Sequence, residues 1–395
     1  MRIVIVGPFG MAPRGTMAVR ALPMAKALVA RGHRVTVLLP PWQNPQDAGR
    51  RWEEEGVAVE NIALPPRAPG LFHLLTALRL TRRTLALRPG VVHLFKPKAY
   101  SGLTHWLLAR LPRARRPHLV VDTDDWEGPG GWNEMGGYSP WQQRFFAWQE
   151  RWGLTHADSV TVASRTLESL VWALGVPRER VWYLPNGVWN PAGAAERSAA
   201  AKGAALHTIL LYTRFFEFSV ARVIALLERA REALPEARLL VVGQGLHGEE
   251  QQLLALARDA GLEGAVDYAG WVPPERLPET FARAALAIYP FDDTLINRTK
   301  CAVKLLDLLA AGVAVVAEAV GQNREMIRHG ETGWLVEPGD ARAFADAVQR
   351  LLREPELRQR LGAAAAQDVR QRLAWAQLAL AVERAYGFGE PHSAP

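Results

Sequence analysis

The sequence predicts an α/β protein of two doubly wound domains, each with a parallel sheet between layers of helices. Short β-branched runs alternate with stretches of helical spacing along most of the chain. The alternation stops in an Ala-, Gly- and Ser-rich stretch and then restarts, and 395 residues are enough for two separate cores. We therefore predict a first domain at 1–189, a linker at 190–207, a second domain at 208–375, and a terminal helix and tail at 376–395 that can pack back on the first domain.

The first half opens with a βαβ pattern. Arg2–Val6 is a β-branched run that ends in GPFG, and residues 17–31 carry apolar side chains at helical spacing up to Gly32. RGHRVTVLLP then reads as a second strand, and a helical crossover between two strands implies parallel pairing. Further strands in this half are predicted to begin at Val91, Leu119, Ser159 and Val181.

The second half repeats the pattern. Its strands are predicted to begin at Thr208, Ala237, Val266, Leu286, Val313 and Gly333, and residues 340–386 are predicted to be almost wholly helical. Polar or glycine residues follow these strands, at the edge where open α/β sheets bind ligands. Two such domains facing a central cleft indicate a two-substrate transferase or an interdomain binding protein.

Composition narrows the class of protein. The formal net charge is +7, which favours phosphate-bearing partners, although Arg used as a solubilising surface residue gives the same excess. Cys301 is the single cysteine, so the chain has neither an internal disulfide nor a multi-cysteine zinc cluster, and it fits a reducing compartment. The first apolar run is too short for a signal or a membrane span. We predict a cytoplasmic protein without nucleic acid as a partner.

Four segments resemble the GT-B glycosyltransferases, specifically the retaining family 4. They are GTMAVRALPMAKALVARGHRVTVL, LPNGVW, VVGQG with the acidic helix after it, and LLDLLAAGVAVVAEAVGQNREMIRHGETGWLVEPGD. The resemblance implies two Rossmann-like domains and transfer of a sugar, with retention, from a nucleotide-diphosphate sugar to a sugar, lipid-linked or small-molecule acceptor. No cofactor or metal is required in such a site. Two alternatives stay open, a sugar-nucleotide epimerase and a non-catalytic binder.

Asp307 is the first donor-site candidate. It lies on the apolar stretch LLDLLAAG, where a carboxylate can accept two hydrogen bonds from a ribose diol, although a solvated or capping Asp is the bland alternative. By resemblance it stands at the second Glu of the family's E-x7-E motif, and Thr299 replaces the first Glu. Asp292, Asp293 or Asn297 could supply hydroxyl contacts instead.

Positive charge for the diphosphate is the second requirement, because fixed cations stabilise a departing diphosphate. Arg214 matches the Arg of the family's R-x5-K pair, and Val220 stands where its Lys belongs. We predict that Lys300 or Lys304, one turn apart at the start of the Asp307 helix, supplies the missing charge. Arg214 and Lys304 are therefore predicted to be catalytic as well as donor-binding.

Backbone groups complete the predicted donor site. A glycine before a helix leaves amides and the positive end of the helix dipole free for phosphate, or it makes an ordinary tight turn. The resemblance adds the second nucleotide-fold loop and the GWVP segment, which contacts the base. The further donor-site residues are Gly15, Thr16, Gly243, Gly245, Trp271 and Val272.

The acceptor side is predicted from the residues after the strand LVVDTDD. Asp124 and Asp125 stand where many family members have a His, and carboxylates there can orient an acceptor hydroxyl or accept its proton. If the strand continues, adjacent residues point to opposite faces, so one of them is expected to reach the cleft. Asp122 and Asp124 also fit a D-x-D spacing, but we predict no metal. His93 is either an acceptor contact or a satisfied core histidine.

A glycine- and tryptophan-rich stretch, WEGPGGWNEMGGYSPWQQRFFAWQERW, follows. It resembles a mobile lid, and Trp126, Trp132 and Trp141 are predicted to stack on acceptor sugars. Trp148 and Trp152 have helical spacing and are predicted to be core.

Two basic stretches, LTALRLTRRTLALRPG and RLPRARRPH, are either solvated surface or a peripheral contact with an anionic membrane at its inner face.

Overall fold

The structure is a computed structural model that describes residues 1–12, 15–67, 71–189 and 207–388. The chain divides into two compact units. The first comprises Met1–Trp189, Thr299–Cys301 and Trp375–Pro395, and the second comprises Asn190–Arg298 and Ala302–Ala374. The predicted linker lies outside the described residues except for His207, as do the last seven residues of the predicted tail, 389–395.

The first unit contains an eight-stranded sheet. Its strands are β1 (Arg2–Val6), β2 (Arg34–Leu39), β3 (Arg51–Glu54), β4 (Val57–Asn61), β5 (Val91–Phe95), β6 (His118–Thr123), β7 (Ser159–Val162) and β8 (Val181–Tyr183). They lie in the order β3-β4-β2-β1-β5-β6-β7-β8. The pair β3 and β4 is antiparallel and the other pairs are parallel, as the βαβ pattern predicts.

The β3–β4 hairpin is absent from the sequence prediction. Its turn is made by Glu55 and Gly56, whose φ angles of 47° and 79° both lie in the left-handed region. Such a two-residue turn matches the twist of a hairpin. Acidic residues in the short strand β3 hide the hydrophobic alternation that would reveal it.

Among the described residues of the first half of the chain, six α-helices accompany the sheet. A π-helical turn, Met17–Ala21, continues into α1 (Leu22–Ala30), and the others are α2 (Leu71–Ala86), α3 (Ala99–Leu108), α4 (Trp132–Met135), α5 (Pro140–His156) and α6 (Arg165–Ala173). The start of α5 follows from its sequence: the Ser139 hydroxyl accepts from the Gln142 amide, the Gln142 side chain accepts from the Ser139 amide, and Pro140 fits the first turn.

The second unit contains a six-stranded parallel sheet. Its strands are β9 (Thr208–Tyr212), β10 (Arg238–Val242), β11 (Val266–Gly270), β12 (Leu286–Tyr289), β13 (Val315–Glu318) and β14 (Trp334–Val336). Their order, β11-β10-β9-β12-β13-β14, is the 3-2-1-4-5-6 order of a doubly wound nucleotide fold. The predicted fold class of two doubly wound α/β domains and the predicted strands are confirmed.

Eight helices belong to the second unit. They are α7 (Val220–Ala233), α8 (Glu249–Asp259), α9 (Leu277–Phe281), α10 (Leu295–Thr299), α11 (Val303–Ala310), α12 (Asn323–Met326), α13 (Ala341–Arg353) and α14 (Pro355–Arg372), although Thr299 at the end of α10 is grouped with the first unit. Gly312, with a φ of 75°, follows α11 and stops it in the left-handed conformation.

The last helix, α15 (Trp375–Ala385), belongs to the core of the first unit. Trp375 and Val382 have no exposed surface and pack in one cluster with Ile3 and Ile5 of β1. The Trp375 amide also donates to the Val188 carbonyl at 3.1 Å. The first unit is therefore completed by the end of the chain.

Among the described residues, every helix is too short or too polar to pass through a bilayer.

Candidate active site

The predicted site residues fall into two groups, one on each unit. In the first unit, Asp124 and Asp125 follow β6 and share one cation that the sequence analysis missed. The Lys96 ammonium lies 2.9 Å from Asp124 Oδ1 and donates to Asp125 Oδ2 at 2.6 Å. The strand ends at Thr123, so its alternation does not extend to this pair, and both carboxylates contact Lys96; that one of them reaches the cleft stays a prediction.

Burial and charge set the proton affinities of this cluster. Burial alone would lower the pKa of Lys96, but the charges of Asp124, Asp125 and Glu127 hold it well above its usual value. Burial raises the pKa of Asp125, and the Lys96 charge offsets only part of that rise. Lys96 is therefore a permanent cation, and Asp125 is the carboxylate that takes up a proton more readily than an exposed Asp.

A second lysine braces the loop behind this cluster. Lys98 donates to Glu127 Oε2 at 2.6 Å and to Asn133 Oδ1 at 2.8 Å. The Glu127 amide donates to both oxygens of Glu150, at 3.0 and 3.1 Å. Burial and the Glu127 charge raise the pKa of Glu150 well above its usual value. This part of the loop is anchored on both sides.

The loop tryptophans differ from one another in their surroundings. Trp126 is 8% exposed and donates from Nε1 to the Pro129 carbonyl at 2.9 Å, and a Cβ on Gly128 would stand 2.3 Å from its ring. The glycines of this stretch thus let the chain wrap closely around Trp126. Trp132 is partly buried, and Trp141 is exposed. Trp148 is 44% exposed, so its prediction as core is wrong.

His93 lies in the interior and has no exposed surface. Its Nδ1 lies 2.9 Å from the Tyr386 hydroxyl, and its Nε2 lies 3.1 Å from Thr161 Oγ1. Thr161 gives its own proton to Asp122 Oδ2 at 2.7 Å, so Nε2 of His93 carries the ring proton. Burial and the charge of Arg20 lower the His93 pKa to about 3. Of the two predicted alternatives, the structure supports the core histidine.

Asp122 is held in the same interior network. Arg20 binds it in a bidentate pair, at 2.9 and 2.6 Å, and also donates to Asn186 Oδ1 at 3.0 Å. Asn186 belongs to the LPNGVW segment, and its side chain donates to the Cys301 carbonyl at 3.1 Å. An arginine on the apolar face of a helix was the sequence signal for this buried pair.

The predicted glycine turn lies at the start of the first helix. Gly15 is exposed, its carbonyl accepts from the Val19 amide at 2.8 Å, and Thr16 has helical backbone angles without a side-chain cap bond. A helix start is confirmed there; donor binding by Gly15 and Thr16 stays a prediction.

In the second unit, Asp307, Lys304 and Tyr212 form one group. Asp307 and Lys304 lie one turn apart on α11, and the Tyr212 hydroxyl, at the end of β9, hydrogen bonds to Asp307. The Lys304 ammonium lies 3.5 Å from the centre of the Tyr212 ring. Burial raises the Asp307 pKa to about 7, because Lys304 and Tyr212 offset only part of it. The sequence analysis missed Tyr212.

The other predicted cations are placed differently. Arg214 is exposed two residues after β9, with its guanidinium 5.5 Å from the Phe216 ring centre. Lys300 precedes α11, which starts at Val303, so the prediction that it opens the Asp307 helix is wrong. Thr299 has no exposed surface, and its carbonyl accepts from the Ser164 hydroxyl at 2.8 Å. Residues 299–301 belong to the first unit, whereas Lys304 and Arg214 belong to the second.

Three loops meet at the carboxyl edge of this sheet. Gly243, with a φ of 128°, passes so close to Thr213 that a Cβ would stand 1.9 Å from the Thr213 carbonyl oxygen. Its amide donates to the Gly270 carbonyl at 2.8 Å. Trp271 follows, 69% exposed, and Val272 is partly buried.

The Gly245 amide donates to Glu250 at 2.9 Å, and Glu249 accepts from His247. The acidic start of α8 thus already occupies the Gly245 amide of the VVGQG loop and the His247 amide after it.

Three further candidates for hydroxyl contacts have protein partners. Asp292 pairs with Arg222, which also pairs with the buried Glu318. Asp293 pairs with Arg298 at 2.5 Å. Asn297 is buried, and its side-chain amide donates to the carbonyls of Glu217 and Asp292 at 2.7 and 2.8 Å. These groups hold the loop between β12 and α11 in place.

Comparison with known proteins agrees with this architecture. Residues 15–187 match the glycosyl transferase 4-like domain, and residues 207–368 match the glycosyl transferases group 1 domain. A phosphatidyl-myo-inositol mannosyltransferase of Mycobacterium leprae is 27% identical over 98% of this chain and 96% of its own length. An exopolysaccharide phosphotransferase of Streptomyces coelicolor is 32% identical over 50% of this chain, which spans only 20% of that relative.

Solved structures of the same fold cover the whole described architecture. Sucrose-phosphate synthase of Thermosynechococcus elongatus superposes with a TM-score of 0.73 at 21% identity, over 98% of both chains. HepE of Anabaena, in a complex with UDP and glucose, gives a TM-score of 0.70 at 16% identity, over 98% of this chain and 99% of its own. Together with the two domain matches, these likenesses show that the chain has the GT-B fold and belongs to the family 4 glycosyltransferases.

Proposed function

We propose that this protein transfers a sugar from a nucleotide-diphosphate sugar to an acceptor hydroxyl, with retention at the anomeric carbon. The observation that carries the proposal is the group of Asp307, Tyr212 and Lys304 inside the domain that matches the group 1 transferases, with Arg214 two residues after Tyr212 in the sequence. The complex of HepE with UDP and glucose supports a nucleoside diphosphate as the leaving group.

Asp307 is the proposed ribose contact. When ionised, its carboxylate accepts hydrogen bonds from two adjacent hydroxyls, and the Tyr212 hydroxyl fixes its orientation. The Gly243 amide donates to the Gly270 carbonyl and the Thr213 amide to the Val242 carbonyl, and this backbone supports the loop before Trp271 and Val272, the proposed base contacts.

Arg214 and Lys304 are the proposed phosphate cations. As the bond between the sugar carbon and the diphosphate oxygen breaks, negative charge grows on that oxygen, and fixed cations stabilise it. The Lys304 ammonium rests on an aromatic face, a contact worth about 0.5–2 kcal/mol, so a diphosphate can compete for it.

Asp124 and Asp125 are the proposed acceptor contacts. The acceptor oxygen bonds to the anomeric carbon on the face that the diphosphate leaves, and its proton passes to Asp125, whose pKa is raised. Asp124 orients the hydroxyl, and Lys96 keeps the pair in place. Trp132 remains a proposed sugar contact, whereas the buried Trp126 and His93 are left out.

A second candidate is a nucleotide-sugar binder without turnover. Thr299 has no exposed surface and Val220 is 4% exposed, so neither replaces the polar group that the family carries there. A sugar-nucleotide epimerase is the remaining alternative.

A panel of UDP-, GDP- and ADP-sugars with and without acceptors separates the three. Release of nucleoside diphosphate that depends on an acceptor, undiminished by EDTA, supports a transferase that needs no metal. An isomerised sugar identifies an epimerase, and binding without product identifies a binder.

Lysine variants sharpen the same assay. We expect Lys304→Ala to lower turnover about a hundredfold, the usual effect of removing one charge-stabilising group. Lys300→Ala is the matched control and is expected to change turnover little, because Lys300 lies ahead of α11. Equal turnover in wild type and Lys304→Ala contradicts the assignment.

A further inference from the structure

The outer face of α5 is unusual for a helix of a folded domain. Trp141, Phe145 and Trp148 are 79%, 41% and 44% exposed. The opposite face is buried and includes Glu150 and Leu154. A surface helix normally turns its large apolar residues toward the core, so this helix carries a second apolar face that the fold does not cover.

These side chains form a continuous surface, which we call the aromatic stripe: Trp141, Phe145, Trp148 and the partly buried Trp152. Their spacings of four, three and four residues place them on one side of the helix. The Phe145 and Trp148 rings stack with centroids 5.8 Å apart, and Trp148 lies 6.3 Å from Trp152. Neighbouring rings of the stripe therefore contact one another along the helix.

Positive charge flanks the aromatic stripe. Arg144 and Arg151 are exposed beside it on the helix, and the one acidic residue of α5, Glu150, is only 1% exposed. At the end of the helix, Trp152 stacks on exposed His156 with centroids 4.5 Å apart. The exposed surface of α5 is thus aromatic and basic, without a carboxylate.

A second apolar pair lies at the same sheet edge. Helices α2 and α5 both precede parallel strands, so both begin at the carboxyl edge of the sheet. In the first turn of α2, Leu71 and Leu74 are 50% and 51% exposed. Helix α3 contacts both neighbours, through Tyr100 with His73 of α2 and through Ala99 with Gln149 of α5.

The basic stretch predicted on α2 is less available. Arg83 is bound to Glu60 at 2.7 Å, and Arg79 donates to the Ala63 carbonyl. Of the other basic stretch, Arg116 is bound to Asp158. The structure therefore moves the strongest candidate surface from these stretches to α5.

We propose that the aromatic stripe lies in the interface of an anionic membrane, with Arg144 and Arg151 toward the lipid headgroups. Tryptophan prefers the interfacial region, and a helix with one apolar and one basic side lies in its plane. This inference deepens the proposed function, because it places the edge that carries Asp124 and Asp125 next to a lipid surface, from which a lipid-linked acceptor can be taken.

Other occupants fit the stripe less well. A sugar chain stacks on free ring faces, whereas the Phe145 and Trp148 rings already stack on each other. A second copy in a two-fold dimer would bring Arg144 and Arg151 against their own equivalents, with like charges opposed.

Co-sedimentation with vesicles tests the proposal. Full-length protein is mixed with phosphatidylcholine vesicles or with vesicles that also contain phosphatidylglycerol. We expect binding to the anionic vesicles, and at least about tenfold weaker binding for the variant Trp141→Gln, Phe145→Gln, Trp148→Gln, because three aromatic rings leave the interface. We expect Arg144→Gln with Arg151→Gln to lose mainly the dependence on anionic lipid and on salt.

Leu380→Gln is the matched control. Leu380 is 38% exposed on α15 of the same unit, and its substitution is expected to leave binding unchanged. The proposal is overturned if the wild-type protein binds neither kind of vesicle, or if the triple variant binds as tightly as the wild type. Sedimentation velocity without lipid tests for a third outcome. If the wild-type protein is a dimer and the triple variant is a monomer, the aromatic stripe is assigned to contact with a second copy, and the membrane proposal is overturned.

Nucleotide release with a water-soluble acceptor is measured in parallel. The double variant Phe145→Gln, Trp148→Gln is expected to keep this activity, since it leaves Trp141 and the proposed site residues in place. Vesicle binding without nucleotide release refutes the proposed function and leaves the membrane surface standing. Nucleotide release without vesicle binding supports the proposed function and refutes the membrane surface.

Discussion

The two groups of site residues differ most in their balance of charge. After β6, Lys96 and Lys98 face Asp124, Asp125 and Glu127, so acids outnumber bases. In the second unit, Lys304 and Arg214 accompany the single acid Asp307, so bases outnumber acids.

This difference suits two kinds of ligand. Burial, together with the charges of Asp124 and Glu127, raises the pKa of Asp125 and favours uptake of a hydroxyl proton, whereas a surplus of cations attracts a diphosphate. The proposed function thus assigns proton handling to the first unit and phosphate handling to the second. Changing one charge at a time on each side shows whether that division holds.

The largest effect is expected from Lys96→Met. Removing this 10% exposed cation leaves Asp124 and Asp125 without their shared partner, and breaking a buried ion pair typically costs about 3–5 kcal/mol. Urea unfolding at pH 7 measures the loss. The loss is expected to shrink at pH 5, because Asp125, with its raised pKa, then takes up a proton more readily.

Lys26→Met is the control for that experiment. Lys26 is equally buried at 10% exposure, but its partners Glu54 and Glu55 are 43% and 52% exposed and remain solvated. Its loss is expected to stay within about 1 kcal/mol. Similar losses for the two lysines would show that the carboxylate pair does not depend on Lys96.

The next effect is a pH dependence of donor affinity that belongs to Asp307. With a pKa of about 7, its carboxyl takes up a proton as pH falls through neutrality and can no longer accept two hydrogen bonds. Nucleotide affinity, measured by calorimetry, is expected to fall by up to about tenfold per pH unit below pH 7. In Asp307→Asn the affinity is expected to be low and flat with pH.

Stability gives an independent reading of the same carboxyl. Its pKa is raised in the folded state from 3.8 to about 7, so the folded chain holds the proton more tightly than the unfolded chain. The free energy of unfolding therefore falls as pH rises across that interval, and the loss is complete above it. Asp307→Asn should raise Tm relative to wild type at pH 8 but not at pH 4; equal shifts at both would argue against a titrating Asp307.

The smallest effect is expected from Tyr212→Phe. The ring that contacts Lys304 is kept, but the hydrogen bond to Asp307 is lost, which removes about 1 kcal/mol from the ionised carboxylate. Donor affinity at pH 7 should fall about fivefold, and the pH step should move upward. An unmoved step in the same calorimetric titration would mean that Tyr212 does not orient Asp307.

Much of this fold is readable in the sequence because local patterns determine it. The strands that begin at Val91 and Thr208 are runs with β-branched residues, and Asp307 lies on a helix that ends at a glycine with positive φ. The capping residues Ser139 and Gln142 indicate the start of helix α5.

The site is less readable because its contacts join distant loops. Lys96 and Asp125 are 29 residues apart and meet only because β5 and β6 are neighbours in the sheet. Helical spacing showed that Trp148 shares a face with Trp152, but periodicity cannot tell which face turns outward. The sequence pattern predicts that the Asp307 helix starts near Lys300, whereas α11 starts at Val303, so Lys300 lies outside the helix.

Helix α15 also has a consequence for biosynthesis. The innermost residues of the first strand pack against Trp375 and Val382, which lie beyond the group 1 domain in the sequence and are translated after it. Part of the core of the first unit therefore stays uncovered while the whole group 1 domain is translated and folds. The first unit, whose synthesis begins first, is thus completed only after the second unit has been translated.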